Sequence, residues 1–199
     1  TQIHPNIGMT FAHTLRTLLR QDPNVIMVGE MRDQETSEIA IRASLTGHLV
    51  ISTLHTNDSP SAVTRLIDMG IEPYLVSSSV TLIVAQRLVR RICEHCKCEE
   101  DVPDSVKQEL GLSLEVKIHK GLGCSACGHT GYRGRIGIYE VLPISEDIRR
   151  LINQKAYASE IAAQATKEGL VTLKQDALSK LSSGITSLPE VLREISVVS

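Results

Sequence analysis

Residues 24–56 read NVIMVGEMRDQETSEIAIRASLTGHLVISTLHT, and this stretch decides the fold. Four apolar residues, Val25 to Val28, lie between Asp22-Pro23 and Gly29-Glu30. A short apolar run bounded by such breakers suits a buried strand of a parallel sheet. Asp33 stands at an N-cap position, and Ile39, Ala40 and Ala43 follow it in a helical pattern. Gly47 closes that helix, being the residue type that tolerates the left-handed conformation after a last turn. A second apolar run, Leu49 to Ile51, leads through Ser52, Thr53 and Leu54 to His55. Strand, helix and strand within about thirty residues make a βαβ unit. Ligands of such sheets gather beyond the carboxyl ends of the strands, where Glu30 and His55 fall.

A lone carboxylate at the end of a buried strand can order a magnesium-bound or attacking water at a nucleotide γ-phosphate. A solvated acid paired with Arg32 is the commoner fate of such a residue, and strand and acid alone favour it. His48 and His55 lie seven residues apart across a strand, and no third ligand has obvious spacing to them. His55 stands beside Thr53 and Thr56, placed to reach phosphate or the Glu30 region. His48 is evenly balanced between a site role and a structural histidine at a strand end.

The second strong signal is Cys93-Glu94-His95-Cys96 with Cys124-Ser125-Ala126-Cys127. Two C-x-x-C pairs separated by 27 residues offer the four thiolates of a closed tetrahedral zinc site. Disulfides are disfavoured in a reducing compartment, and a redox C-x-x-C remains open for one pair. Cys98 is the spare, with a register swap between Cys96 and Cys98 left open, and His95 and His129 are backup ligands.

The chain has 199 residues, 42% hydrophobic and 22% charged, with a net charge of −2, enough for one large or two small globular domains. That charge gives no bulk attraction for nucleic acid, and 3% aromatic residues without Trp give no stacking platform. No apolar run approaches the roughly 20 residues that span a bilayer, and no signal-peptide pattern occurs, so the cytoplasm is the expected location. No G-x-x-x-x-G-K-[ST] phosphate loop is present.

The phrases LRQDPNVIMVGEMRD (residues 19–33) and TGHLVISTLHTN (46–57) closely resemble the Walker B region and histidine box of the secretion ATPase family of type II secretion and type IV pilus assembly. The resemblance runs from about residue 1 to the C-terminus. With the cysteine pairs it is closest to assembly and secretion members rather than retraction motors. It implies an α/β fold: the C-terminal half of a RecA-like P-loop ATPase domain, a tetracysteine zinc element and a small helical C-terminal domain. Because the family carries its Walker A loop upstream in the same domain, it also implies a C-terminal piece of a longer protein, holding half of a site for ATP and Mg²⁺. Under it, Glu30 positions the attacking water, His55 and His48 sense the γ-phosphate, and Arg16, Arg20 and Arg32 serve the nucleotide site or a subunit contact. Cys93, Cys96, Cys124 and Cys127 would hold a structural Zn²⁺. Asn24 departs from the acidic residue often found at its position.

The whole protein implied is a cytoplasmic hexameric ATPase that drives pseudopilus or pilus assembly, or protein secretion, through an inner-membrane platform protein and without direct contact with nucleic acid. The alternative is a zinc-stabilised interaction module, without ATPase activity of its own, that docks on such a platform protein.

Along the chain, Thr10 caps a helix from Met9 to Leu19, with Arg16 and Arg20 on one face. Ser59 caps a helix with Pro60 at its first position, and a longer helix is expected from Pro73 to about Arg91, ending in the basic cluster Arg87, Arg90 and Arg91. Residues 101–120 read as a polar excursion with a short helix at 105–110, and Ile136 to Leu142 as a returning strand. Beyond Ser145 the chain is helical, with capping boxes at Thr172/Gln175 and Ser187/Glu190 and apolar stripes ending at Ile195. The expected domains are 1–91 (ATPase part), 92–142 (zinc element) and 143–199 (helical).

Overall fold

A computed structural model describes residues 10–198, with side chains through Glu194. In chain order the elements are α1 (Phe11–Leu19), β1 (Val25–Val28), α2 (Gln34–Leu45), β2 (Leu49–Ser52), α3 (Ser59–Asp68) and α4 (Pro73–Ser79). Then come β3 (Leu82–Ile92), β4 (Lys97–Glu100), α5 (Asp104–Glu109), β5 (Ile118–Gly121) and β6 (Tyr132–Pro143). Four helices close the chain: α6 (Glu146–Asn153), α7 (Ala158–Lys167), α8 (Leu173–Ser182) and α9 (Leu188–Val198). They fall into two compact units, one built from the chain up to Ile83 with Leu142–Gly169, the other from Val84–Val141 with the chain from Leu170 on.

In the first unit β1, α2 and β2 form the expected βαβ. The strands pair in parallel, Val25 opposite Leu49 and Val28 opposite Ser52. Asp33 caps α2, its Oδ1 accepting the Thr36 N–H at 2.8 Å, and Gly47 at φ +103° ends it. Thr10 caps α1 by accepting the His13 N–H, while Met9 lies outside the described residues. Ile26 and Val28 enter a core with Leu15 of α1 and Ala40 and Ala43 of α2. The opposite sheet face carries Val25, Met27, Leu49 and Ile51 exposed, Met27 to 75%. The expectation of a fully buried strand is therefore corrected: both α1 and α2 cover the same face, and the other is bare among the described residues. Further along, α6 packs on α4 and α7 on α3.

Two element boundaries also differ from the sequence reading. The cap of α3 is Asp58, whose carboxylate accepts the Ser61 N–H at 2.8 Å, so Ser59 is already helical. The helix expected over 73–91 stops at Ser79, and 82–92 is strand β3. Alternation decides it: Leu82, Val84 and Leu88 are exposed, whereas Ala85 and Val89 join a core. The intervening Val80-Thr-Leu-Ile-Val run is β-branched and extended from Val80 on, at ψ 125°. Arg87, Arg90 and Arg91 are consequently strand residues, not a basic helix end.

The second unit gathers β3, β6, the β4–β5 pair, α5, α8 and α9 around Val89, Ile118, Ile138, Leu181 and Val191. Each such fully buried aliphatic side chain contributes about 1.5–3 kcal/mol through removal from water. β4 and β5 run antiparallel, Lys97 opposite Gly121 and Glu100 opposite Ile118. The excursion between them is not merely polar, since Val102, Val106, Leu112 and Val116 pack on the same core. Thr172 and Gln175 form the expected capping box of α8. Glu190 does not serve Ser187 in that way: its oxygens take the N–H and guanidinium of Arg90 and the guanidinium of Arg193. Ile195 of the apolar stripe lies beyond the described side chains. Among the described residues, no helix is long and apolar enough to cross a membrane.

Candidate nucleotide site and metal centre

The first site forms just past the carboxyl ends of β1 and β2. There the two chains stay tied beyond the ladder: Thr53 Oγ1 donates to the Gly29 C=O at 2.7 Å, and the Met31 N–H donates to the Thr53 C=O at 3.1 Å. This holds Glu30 across from His55. Glu30 Oε2 takes both Arg32 Nε at 2.7 Å and His55 Nε2 at 3.2 Å. The Glu30 side chain is 23% exposed, whereas that of His55 is 78% exposed. Hydrogen bonds from His55 and then Arg32 hold the Glu30 carboxyl below its usual range. It is therefore an anion with one oxygen engaged, while Oε1 takes no partner among the described residues.

Other sequence-predicted residues lie elsewhere. His48 sits at the amino end of β2, with Nδ1 3.0 Å from the Ala43 C=O and 3.2 Å from Thr46 Oγ1, at the close of α2. A four-residue strand of about 3.3 Å per residue separates it from the His55 end. Arg16 of α1 pairs with Glu35 of α2 at 2.8 Å, and Arg20 is the exposed C-cap of α1. The structure thus brings Glu30, Arg32 and His55 together and leaves His48, Arg16 and Arg20 apart from that cluster.

The second site lies between β3 and β4 on one side and β5 and β6 on the other. The sulfurs of Cys93, Cys96, Cys124 and Cys127 all lie within 4.8 Å of one another. Cys93–Cys124 and Cys96–Cys127 are each 3.9 Å apart, and Cys124–Cys127 is 3.8 Å. An ion held about 2.3 Å from four tetrahedral sulfurs sets them about 3.8 Å apart, so the donor set fits zinc. A disulfide needs about 2.05 Å, and all five cysteines are free.

Backbone amides aim at the sulfurs, as thiolates require: Gly123 N–H at Cys96 (3.3 Å), and Cys124 and Gly131 N–H at Cys127 (3.2 and 3.3 Å). Those two amides, Cys124 first, bring Cys127 down to about 6, whereas burial pushes Cys96 up to about 12. The two knuckle loops touch backbone to backbone, and a Cβ on Gly121 would stand 2.0 Å from the Gly131 oxygen. Cys98, opposite Lys120 on β4, is outside the sulfur cluster, as are the exposed His95 and His129.

Sequence reasoning missed one polar cluster in this unit. Arg90 reaches Glu190 at 2.8 Å and covers the Tyr132 ring at 4.0 Å, and Tyr132 OH lies 2.6 Å from Ser187 Oγ. Reading 82–91 as a helix concealed it, whereas strict alternation through Val89 would have pointed to a strand.

Comparison with known proteins places the chain in a family. The family described as Type II/IV secretion system protein matches residues 1–193. The Type IV pilus assembly ATPase PilB of Thermus thermophilus is 50% identical over 196 residues, covering 96% of this chain and 22% of that protein. The Type II secretion system ATPase E of Vibrio cholerae serotype O1 is 50% identical over 198 residues, covering 97% of this chain and 39% of that protein. The chain thus spans well under half the length of these relatives. Among solved structures, the pilus retraction motor PilT with bound ADP superposes with a TM-score of 0.65 at 28% identity, over 93% of this chain and 43% of that one. The Legionella pneumophila ATPase DotB shares the fold, at TM-score 0.64 and 24% identity, over 94% of this chain and 42% of that one. With a βαβ unit whose strand ends present Glu30 and His55, and with a family match over almost its whole length, the chain belongs to the Type II/IV secretion system protein family.

Proposed function

We propose that this chain supplies the Walker B and histidine-box part of a RecA-like ATPase that drives pilus or pseudopilus assembly, or protein secretion. The observation that carries the proposal is the convergence of Arg32 and His55 on one oxygen of Glu30 at the carboxyl ends of β1 and β2. A carboxylate held below its usual range is a weak base, so its work is to accept a hydrogen bond from water and fix its direction. Oε1 is the oxygen for that task. His55 and Arg32 hold the carboxylate in place, and the exposed His55 ring is placed to follow a phosphate. Magnesium, when bound, would neutralise phosphate charge, with Glu30 acting on it through water.

His48, its Nδ1 held against the Ala43 C=O at the far end of β2, would have the structural role, and Arg16 and Arg20 would serve a neighbouring subunit of a hexamer. The four cysteines would hold a structural zinc, since four sulfurs leave no open position for catalysis. The whole protein would work in the cytoplasm against an inner-membrane platform protein, without contacting nucleic acid. Family membership and the names of the relatives support this reading.

The phosphate-cradling loop is not in this sequence. The 199-residue chain alone is therefore expected to release phosphate from Mg-ATP no faster than buffer. Turnover by the chain alone that disappears in Glu30→Gln would contradict the division of the site proposed here.

A further inference from the structure

Every strand tied to the cysteine cluster also touches the turn between α8 and α9. Cys93 follows β3, Cys96 precedes β4, Cys124 lies just after β5, and Cys127 shortly before β6. From β3, the Ile92 N–H donates to the Ile185 C=O at 2.9 Å, and the Arg90 C=O accepts the Thr186 hydroxyl at 2.8 Å. From β4 and β5, Lys97 and His119 close on Gly184, which sits at φ +64°. A Cβ there would lie 2.9 Å from Lys97 Nζ and 2.8 Å from His119 Nδ1. From β6, Tyr132 OH meets Ser187 Oγ at 2.6 Å. A short path leads back to sulfur: the Gly131 N–H points at Cys127 Sγ, and the Gly131 C=O accepts the Cys93 N–H at 2.9 Å.

The helix beyond this turn is held by a charge that depends on the same strands. Glu190 in α9 is 1% exposed, and the Arg90 N–H and guanidinium reach its two oxygens at 2.8 Å each. Arg193, the third donor, travels with α9 itself, so the donors that tie this buried carboxylate to the rest of the unit are the two from Arg90, and they hold only while the end of β3 stays in place. β4 and β5 are four residues each, too short to hold their own array without support.

We propose that the metal at the four cysteines seats helix α9, with Arg90 as the positioning residue that transmits its hold. With the ion bound, four strand ends form one platform and Glu190 locks onto it. Without the ion the platform loosens, Glu190 loses its two Arg90 donors, and α9 lifts from the core that Val191 helps to fill. This rests on the zinc reading of the cysteines.

The test is hydrogen–deuterium exchange with mass spectrometry on the zinc-loaded chain, before and after chelation, with zinc content measured throughout. Chelation is expected to speed exchange of amides 185–194 at least roughly tenfold while 146–167 keep their rates. Arg90→Gln should accelerate 185–194 similarly with zinc retained, and Arg90→Lys should restore part of the protection. Zinc removal that leaves 185–194 within about twofold of the loaded rate overturns the proposal, as does equal acceleration of 146–167. Unchanged exchange in Arg90→Gln overturns the role of Arg90. A chain that takes up no zinc, and shows no thiolate-to-metal absorption with Co²⁺, instead overturns the zinc reading beneath it.

Discussion

Glu30 takes both its charge state and its orientation from two neighbours, so its behaviour can be tested one side chain at a time. His55 is the largest cause of the lowered carboxyl, ahead of Arg32. In His55→Ala the Glu30 carboxyl should titrate at higher pH, toward the ordinary 4.5, as followed by carbon NMR of the labelled carboxyl. An unchanged titration would mean that the 3.2 Å contact does not form in solution. The position of Glu30 at a strand end was legible from the apolar run and the glycine before it. Its reach to His55 was legible as well, from two strand ends of one βαβ unit, whereas which oxygen meets which nitrogen was not, because that depends on the register of two strands and no local pattern encodes it. The same limit applies to the Arg90–Glu190 pair, whose members are 100 residues apart.

At the scale of elements, the caps at Thr10, Asp33 and Thr172 were legible because each is a short-range bond between neighbours in sequence, whereas those expected at Ser59 and at Ser187/Glu190 were not formed. Asp33→Ala should cost about 1 kcal/mol in denaturant unfolding by freeing the Thr36 amide at the start of α2. A change within error would show that water satisfies that amide as well as the carboxylate does. The α4–β3 boundary was misread because Leu75, Val76, Ser79 and Ile83 continue at helical spacing while the residues from Leu82 onward also alternate. Tertiary cover, with Val89 and Ala85 facing the core, settles between two periods that overlap there. Glu190 gives an element-scale dependence on pH. Burial raises its carboxyl, but the two hydrogen bonds from Arg90 and the charge of Arg193 outweigh it and leave the group below its ordinary 4.5. The stability it contributes is present above that value and is lost as pH falls through the lower folded value. Wild type should therefore exceed Glu190→Gln by about 1.5 kcal/mol at pH 6, and the gap should narrow steadily as pH falls below 4.5. A gap that does not narrow as pH is lowered from 4.5, in unfolding curves recorded with both proteins metal-free, would show that the carboxylate charge is not what holds α9.

The molecule as a whole presents a chemical cluster in one unit and a sulfur cluster in the other. Each was partly written in local sequence, the first as strand ends and the second as paired cysteines. What local sequence could not convey was cover. The run Val25–Val28 carries the composition of a strand buried on both faces, yet Val25 and Met27 stand exposed with Leu49 and Ile51 on one face of the β1–β2 pair. An apolar face of that kind marks a surface made to be covered, which agrees with a chain spanning 22–39% of its curated relatives. The central claim, that Glu30 directs the attacking water of an ATPase site, is tested most directly in the full-length protein. Mg-ATP turnover and nucleotide affinity should be measured together for wild type and Glu30→Gln. The expected result is a loss of at least roughly a hundredfold in turnover with ATP affinity kept within a few-fold, because the substitution removes water positioning and leaves phosphate binding intact. Equal turnover in the two proteins would contradict the claim, and the search for the catalytic acid would have to leave the end of β1.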